Sequence, residues 1–251
     1  MCGFSLIPSD TLQPGPLPSP TVAGSGLDII FEDNHLLVVN KPSGMLVQPD
    51  RSADVSLEQL AKEYIRVSKQ KPGEAFIGVP HRIDRPTSGI VCLAKTSKAL
   101  VRLNAMFAER RMKKVYWAIV TAKPPKEADK LIHFLRKNED TNLSKAFANE
   151  AKHTRRSELT YELIGASDRY FLVEVHPLTG RHHQIRAQLA FIGCPIKGDL
   201  KYGAPRSNPD GSICLHARRL ALEHPTTKEM MEFTAKVPDD ALWRHFAGPM
   251  G

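Results

Sequence analysis

Cysteine is scarce in this chain of 251 residues: Cys2, Cys92, Cys194 and Cys214 lie far apart and form no CxxC pair. That spacing argues against a disulfide framework and a closed cysteine zinc site, and a reducing, cytoplasmic setting is expected. No apolar run approaches the roughly 18 residues that cross a bilayer, so no membrane partner is expected. A P-loop, a GxSxG elbow and a glycine-rich dinucleotide fingerprint are all missing, so no nucleotide or flavin cofactor is expected. HxxxH and HExxH are absent as well. His182 and His183 are adjacent, which is poor geometry for one ion, and Cys214 with His216 stands isolated, so no metal is expected. Acidic residues are in deficit, 27 against 35 Lys plus Arg, which leaves a net charge of +8. That excess points toward a polyanionic partner.

What is present suits a globular protein. Hydrophobic residues make up 41% of the chain, enough for a sizeable core, and nothing marks an obligate oligomer, so a monomer is expected. Residues 1–26 hold five of the 19 prolines and a single charged residue, Asp10, and read as a flexible leader. Order is expected from Leu27, in one domain over 27–251. Asp28–Phe31 and Leu36–Val39 read as strands around a turn. Ser56 with Gln59 forms a capping box, followed by apolar residues Leu57, Leu60, Ala61, Tyr64 and Ile65 at helical spacing. Ile90–Leu93 reads as a buried strand, Ser97–Arg111 as a second helix and Val115–Val120 as a strand. Residues 137–157, polar and with little periodicity, read as a mobile loop or irregular insertion. Strands are expected at Leu159–Ile164 and Tyr170–Val175, and a helix carrying Ile185, Leu189 and Ile192 that Gly193 ends. Two more strands are expected near Leu215–Leu222 and Glu229–Val237. Strands and helices do not alternate as in a parallel βαβ series, so the fold class is α+β with a mixed sheet.

Three segments carry chemistry. In His81-Arg82-Ile83-Asp84-Arg85-Pro86-Thr87-Ser88-Gly89 an acid is flanked by two arginines, which would keep it ionised for work as a nucleophile or base. On charge pattern alone a structural ion pair is the preferred reading. Arg102–Lys114 holds five basic residues and one acid, Glu109, and runs into Tyr116 and Trp117. There Arg110, Arg111, Lys113 and Lys114 offer phosphate contacts beside stacking surfaces, or else a solvated helix face. In Thr179-Gly180-Arg181-His182-His183-Gln184-Ile185-Arg186 the glycine permits a sharp turn, and the start of the next helix can present its amides and Arg181 to an anion. Arg186 lies five positions on and points about 140° away from Arg181, so the two should have different jobs.

These residues carry a resemblance. His81–Gly89, HRIDRPTSG, followed by IVCLAKT, is similar to the signature of the RluA-type pseudouridine synthases. EDNHLLVVNKPSGMLVQP at 32–49, RRMKKVYWAIV at 110–120, HPLTGRHHQIRAQLAFIGCPIKGDLKYG at 176–203 and LHARRLALEHP at 215–225 resemble that family's other motifs, in its order. The resemblance implies a pseudouridine synthase fold, a mixed and largely antiparallel sheet flanked by helices and loops. It implies isomerisation of uridines in structured RNA, ribosomal or transfer, without a cofactor. Asp84 would be the essential acid, Tyr116 the residue that stacks on the uracil and a candidate for the final proton removal from C5, and Arg186 the arginine that pairs with the acid, with Arg181 the alternative for that pairing. Arg82 would fill the stack as the uridine flips out. Arg85, Arg181, Arg110, Arg111, Lys113 and Lys114 complete the expected RNA contacts, and Lys41 and Pro42 would buttress the active-site loop. No added RNA-binding module of the kind several relatives carry fits in the 26-residue leader.

Two other classes compete. A catalytically silent RNA-binding or assembly factor on the same fold would have no use for an acid in a basic groove. A metal-dependent nuclease would want clustered carboxylates, and the motifs supply only Asp84 and Asp199.

Overall fold

The computed structural model describes residues 26–70 and 72–248, so the expected leader lies outside the described residues except for Gly26. Its elements are β1 (Asp28–Glu32), β2 (Leu36–Lys41), α1 (Leu57–Ser68), β3 (Ser88–Ala94), α2 (Ser97–Ala108), β4 (Lys113–Val120), β5 (Ala128–Asn138) and β6 (Leu143–Phe147). Then follow β7 (Arg155–Ala166), β8 (Phe171–Pro177), α3 (Gln184–Phe191), the 3₁₀ turn Leu200–Tyr202, β9 (Leu215–Glu223), β10 (Met230–Thr234) and α4 (Ala241–Ala247).

The strands form one sheet in the order β1-β2-β3-β9-β4-β8-β7-β5-β6, with β10 also on β9. The sheet is mixed and largely antiparallel, as expected: β3 against β9 is the parallel pairing among the described strands. Period two explains its layering. Leu37 and Val39 of β2 with Val91 and Leu93 of β3 cluster with Leu57, Ala61 and Ile65 of α1. Leu36, Val38, Ile90 and Cys92 from the same strands cluster instead with Ala99, Leu103 and Met106 of α2. Each such fully buried aliphatic contributes about 1.5–3 kcal/mol. On the other half, Ile185 and Leu189 of α3 pack with Leu159, Tyr161 and Val175 of β7 and β8, and Trp243 of α4 joins them.

Local signals act as read in α1, where Ser56 and Gln59 cap each other reciprocally. Elsewhere the structure differs from the sequence reading. The second helix stops at Ala108, and Arg110 takes a left-handed φ of 57°, so Arg110 and Arg111 sit in a turn rather than on a helix face. Residues 137–157 are not one loop: β5 and β6 make a hairpin there, a connection over 148–154 follows, and β7 begins at Arg155. The pattern was hidden because this hairpin lies at the sheet edge. Ser144 and Ala146 turn inward while Lys145 and Arg136 face solvent, which leaves too few apolar residues to reveal the alternation. The amphipathic α4 was not anticipated at all.

Candidate active site

The loop between His81 and Thr87 carries Asp84 to the centre of the sheet. Its far end is fixed by Gly89, whose φ is +112°; a Cβ there would come 2.4 Å from the Ala217 carbonyl oxygen. Only glycine permits β3 to pair with β9 at that point. From below, the NKPSG segment staples the loop. Lys41 is fully buried and its Nζ donates to the carbonyls of Pro42 (2.8 Å), Met45 (2.8 Å) and Arg85 (3.3 Å). The Gly44 amide donates to Arg85 O and the Ser43 hydroxyl to Pro86 O, both at 2.8 Å. Burial pulls the Lys41 ammonium down to about 7, against the opposing pull of the Asp84 charge.

Arg186 projects from the first turn of α3 and meets this loop. Its Nε and Nη2 donate to the two oxygens of Asp199 at 2.7 and 2.8 Å, and its Nη1 donates to Asp84 Oδ2 at 3.1 Å. The guanidinium also lies 4.9 Å over the Tyr202 ring. Burial alone would weaken its charge, but the bonds and charges of Asp199 and Asp84 more than offset this and hold the pKa above its ordinary value. His183 completes the ring around the acid, with Nε2 3.7 Å from Asp84 Oδ2.

A cleft of about 1250 Å³ opens over Asp84. Arg82, Arg110, Lys113, Lys114, Tyr116, Arg181 and Arg186 all line it. Gly180 leaves room for Lys114, whose Nζ is 3.7 Å from where a Cβ would stand; burial lowers that ammonium's pKa. Burial, and then the Asp84 charge, push the Tyr116 phenol above its ordinary pKa, so it is neutral.

Two of the expected residues are not brought there. Arg85 donates Nε to Gly44 O and pairs with Asp54 at 2.7 Å, and Arg111 pairs with Glu109 at 2.6 Å; neither lines the cleft. The charge-pattern reading of Asp84 as a carboxylate held between Arg82 and Arg85 is therefore corrected, because neighbouring side chains of a loop diverge; its ion-pair partner is Arg186, the arginine the resemblance implied. The expected anion site at the start of α3 is also altered. The Arg181 amide donates to the Gln184 side chain at 3.0 Å, and the helix begins only at Gln184. Asp199, Tyr202 and His183 were given no place in the site by sequence reasoning. The signal available was a polar Asp-Leu-Lys-Tyr step inside the quoted motif, between two glycines that take left-handed φ.

Comparison with known proteins agrees with this architecture. A family model described as RNA pseudouridylate synthase matches residues 35–191. The ribosomal large subunit pseudouridine synthase C of Vibrio parahaemolyticus is 34% identical over 213 residues, covering 82% of this chain and 64% of that relative. The chain thus spans under two thirds of that relative's length. The tRNA pseudouridine synthase C of the same organism is 30% identical over 231 residues, covering 85% of this chain and 91% of its own. Among solved structures, human RNA pseudouridylate synthase domain containing 4 superimposes with a TM-score of 0.73 at 23% identity, covering 89% of this chain and 92% of that one. The fold is the pseudouridine synthase fold. This chain belongs to the RNA pseudouridylate synthase family.

Proposed function

We propose that the protein isomerises specific uridines in structured RNA, ribosomal or transfer, to pseudouridine, with Asp84 acting on a flipped-out uridine. The observation that carries this reading is Asp84 itself, a carboxylate whose side chain is 27% exposed to a cleft lined by Arg82, Arg110, Lys113, Lys114 and Arg181. For a surface that only bound phosphates, a negative charge there would be a cost. For a reaction that breaks N1–C1′, turns the uracil and joins C5 to C1′, an ionised carboxylate beside C1′ is the required group. It serves whether it attacks the sugar, attacks the base or removes the 2′ proton.

The other residues take roles that fit their geometry. Arg186 orients the acid through Nη1 while Asp199 holds the rest of the guanidinium. Tyr116 offers a flat, neutral ring for the uracil; its raised pKa favours stacking over proton removal. Arg82, which lines the cleft, would enter the space a flipped base leaves, offsetting an extrusion cost of a few kcal/mol. Arg110, Lys113, Lys114 and Arg181 grip phosphates. The names of the relatives, one for the ribosomal large subunit and one for tRNA, support these two RNA classes as partners. The test is tritium release from RNA labelled at uridine C5. Release by the wild type that Asp84→Asn abolishes is the expected result, and tight RNA binding without release from any cellular RNA would identify a silent binding factor instead.

A further inference from the structure

His183 touches the acid, yet the proposed chemistry gives it no task. Its backbone sits at φ 50°, in the left-handed region, where a non-glycine residue persists only if its surroundings hold it. Three contacts do so. Its ring stacks on His182 with centroids 3.8 Å apart and planes at 21°. Its Nδ1 lies 3.0 Å from the Tyr202 hydroxyl, and its Nε2 faces Asp84 Oδ2 at 3.7 Å.

The location of the protons follows from what Tyr202 already accepts. The backbone amide of Ser144, on edge strand β6, donates to the Tyr202 oxygen at 2.8 Å. The hydroxyl proton is then free to point at His183 Nδ1, which makes Nδ1 an acceptor and places the imidazole proton on Nε2. The opposite tautomer would aim a lone pair at a carboxylate and leave the phenol proton without this acceptor. Burial first, then the nearby Arg186 charge, pull the His183 pKa down to about 2, so the ring is neutral.

We infer that Tyr202 and the Ser144 amide are positioning groups: they fix His183 as its Nε2–H tautomer, so that His183 and Arg186 together engage Asp84 Oδ2 and leave Oδ1 as the reacting oxygen. Among the described residues, the hydrogen-bonded ion pair with Arg186 and the 3.7 Å approach of the neutral His183 ring both fall on Asp84 Oδ2. The edge hairpin thereby orients an acid 60 positions earlier in the chain, through a single phenol. The inference rests on Asp84 being the reacting group, and its test separates the two claims.

The experiment is ¹⁵N NMR of histidine-labelled free protein, in which long-range couplings distinguish the two neutral tautomers and the imidazolium. His183→Gln assigns the resonance. The expected wild-type result is a single Nε2–H tautomer from about pH 5.5 to 8. Tyr202→Phe keeps the ring over Arg186 but loses the hydroxyl; it should yield mixed tautomers, a single-turnover rate about tenfold lower, or about 1.4 kcal/mol in the barrier, and RNA affinity within about twofold. His183→Gln, which can still offer an N–H to the acid, should keep more activity than His183→Ala. An Nδ1–H tautomer or an imidazolium in the wild type overturns the inference, as does an unchanged rate in Tyr202→Phe. Because the spectra need no RNA, turnover retained by Asp84→Asn would overturn the functional reading alone and leave the tautomer result standing.

Discussion

Arg186 divides its guanidinium unequally between two carboxylates, giving two nitrogens to Asp199 and one to Asp84. The Asp199 side chain is 1% exposed and the Asp84 side chain 27%, so one arm of the bridge is a buried structural pair and the other opens on the cleft. Replacing the carboxylate by a neutral amide should therefore act differently at the two ends. Asp84→Asn leaves the buried pair intact and should change stability by less than about 1 kcal/mol, while turnover falls by about 10³-fold or more. Asp199→Asn leaves Arg186 buried and short of its partner, and should cost about 3–5 kcal/mol. Denaturant melts of the two variants, with tritium release for the first, check both; equal stability losses would contradict the unequal division.

The two arginines of the Gly180–Arg186 segment should separate in the same way. Arg186→Lys loses the planar fork that spans two carboxylates, so turnover should drop at least about 100-fold with RNA affinity little changed, and melting should fall as well. Arg181→Lys keeps a point charge at the cleft and should be tolerated, with a modest loss of binding. Single-turnover rates and dissociation constants at one salt concentration decide; the reverse pattern would reassign the residues.

RNA affinity should fall linearly with salt on logarithmic axes. Replacing Lys113 and Lys114 by Ala should flatten that slope by about one to two units, the number of phosphate contacts removed. An unchanged slope would place both lysines on a solvated face, in spite of their position in the cleft.

Buried histidines predict how stability depends on pH. Burial drives His81 and His216 down to about 3, and His183 to about 2. Below the unfolded value near 6.5 the unfolded chain takes up protons that the folded chain refuses, so stability is present above that pH and is lost as pH falls toward 3. For His216, fully buried with Nδ1 2.9 Å from Ser88 Oγ, the loss from pH 6.5 to 5 is about 2 kcal/mol. Melting measured between these pH values should show a steep fall, and His216→Gln should flatten it by about one proton's worth. A flat profile in the wild type would mean the imidazoles are already charged when folded.

Much of the local structure is legible in the sequence. The α1 capping box, the apolar Ile90–Leu93 run of β3 and the Gly193 stop after α3 each follow from residues close in sequence. The hairpin of β5 and β6 was not legible, because edge strands expose one face and most of their rim, and their side chains can be polar without harm. The α2 boundary failed for a related reason. A run of Arg and Lys is compatible with helix, but the chain needs a left-handed turn at Arg110 to enter β4.

The sequence by itself determined which residues can do chemistry: an acid among arginines, a tyrosine behind a basic run, an arginine after a glycine turn. The resemblance implied the pairing of Asp84 with Arg186; the other partnerships were decided only by the tertiary structure. Asp84 turned away from the adjacent Arg85 and met Arg186, 102 positions later, while Asp199, Tyr202 and an amide of the edge hairpin closed the ring around them. The physical reason is one of range. Caps and periodicity act over three or four residues and can be read along the chain. A charged group stripped of water takes whichever partner the packed sheet and helices bring within about 3 Å, and that neighbour is set by strand order rather than by spacing.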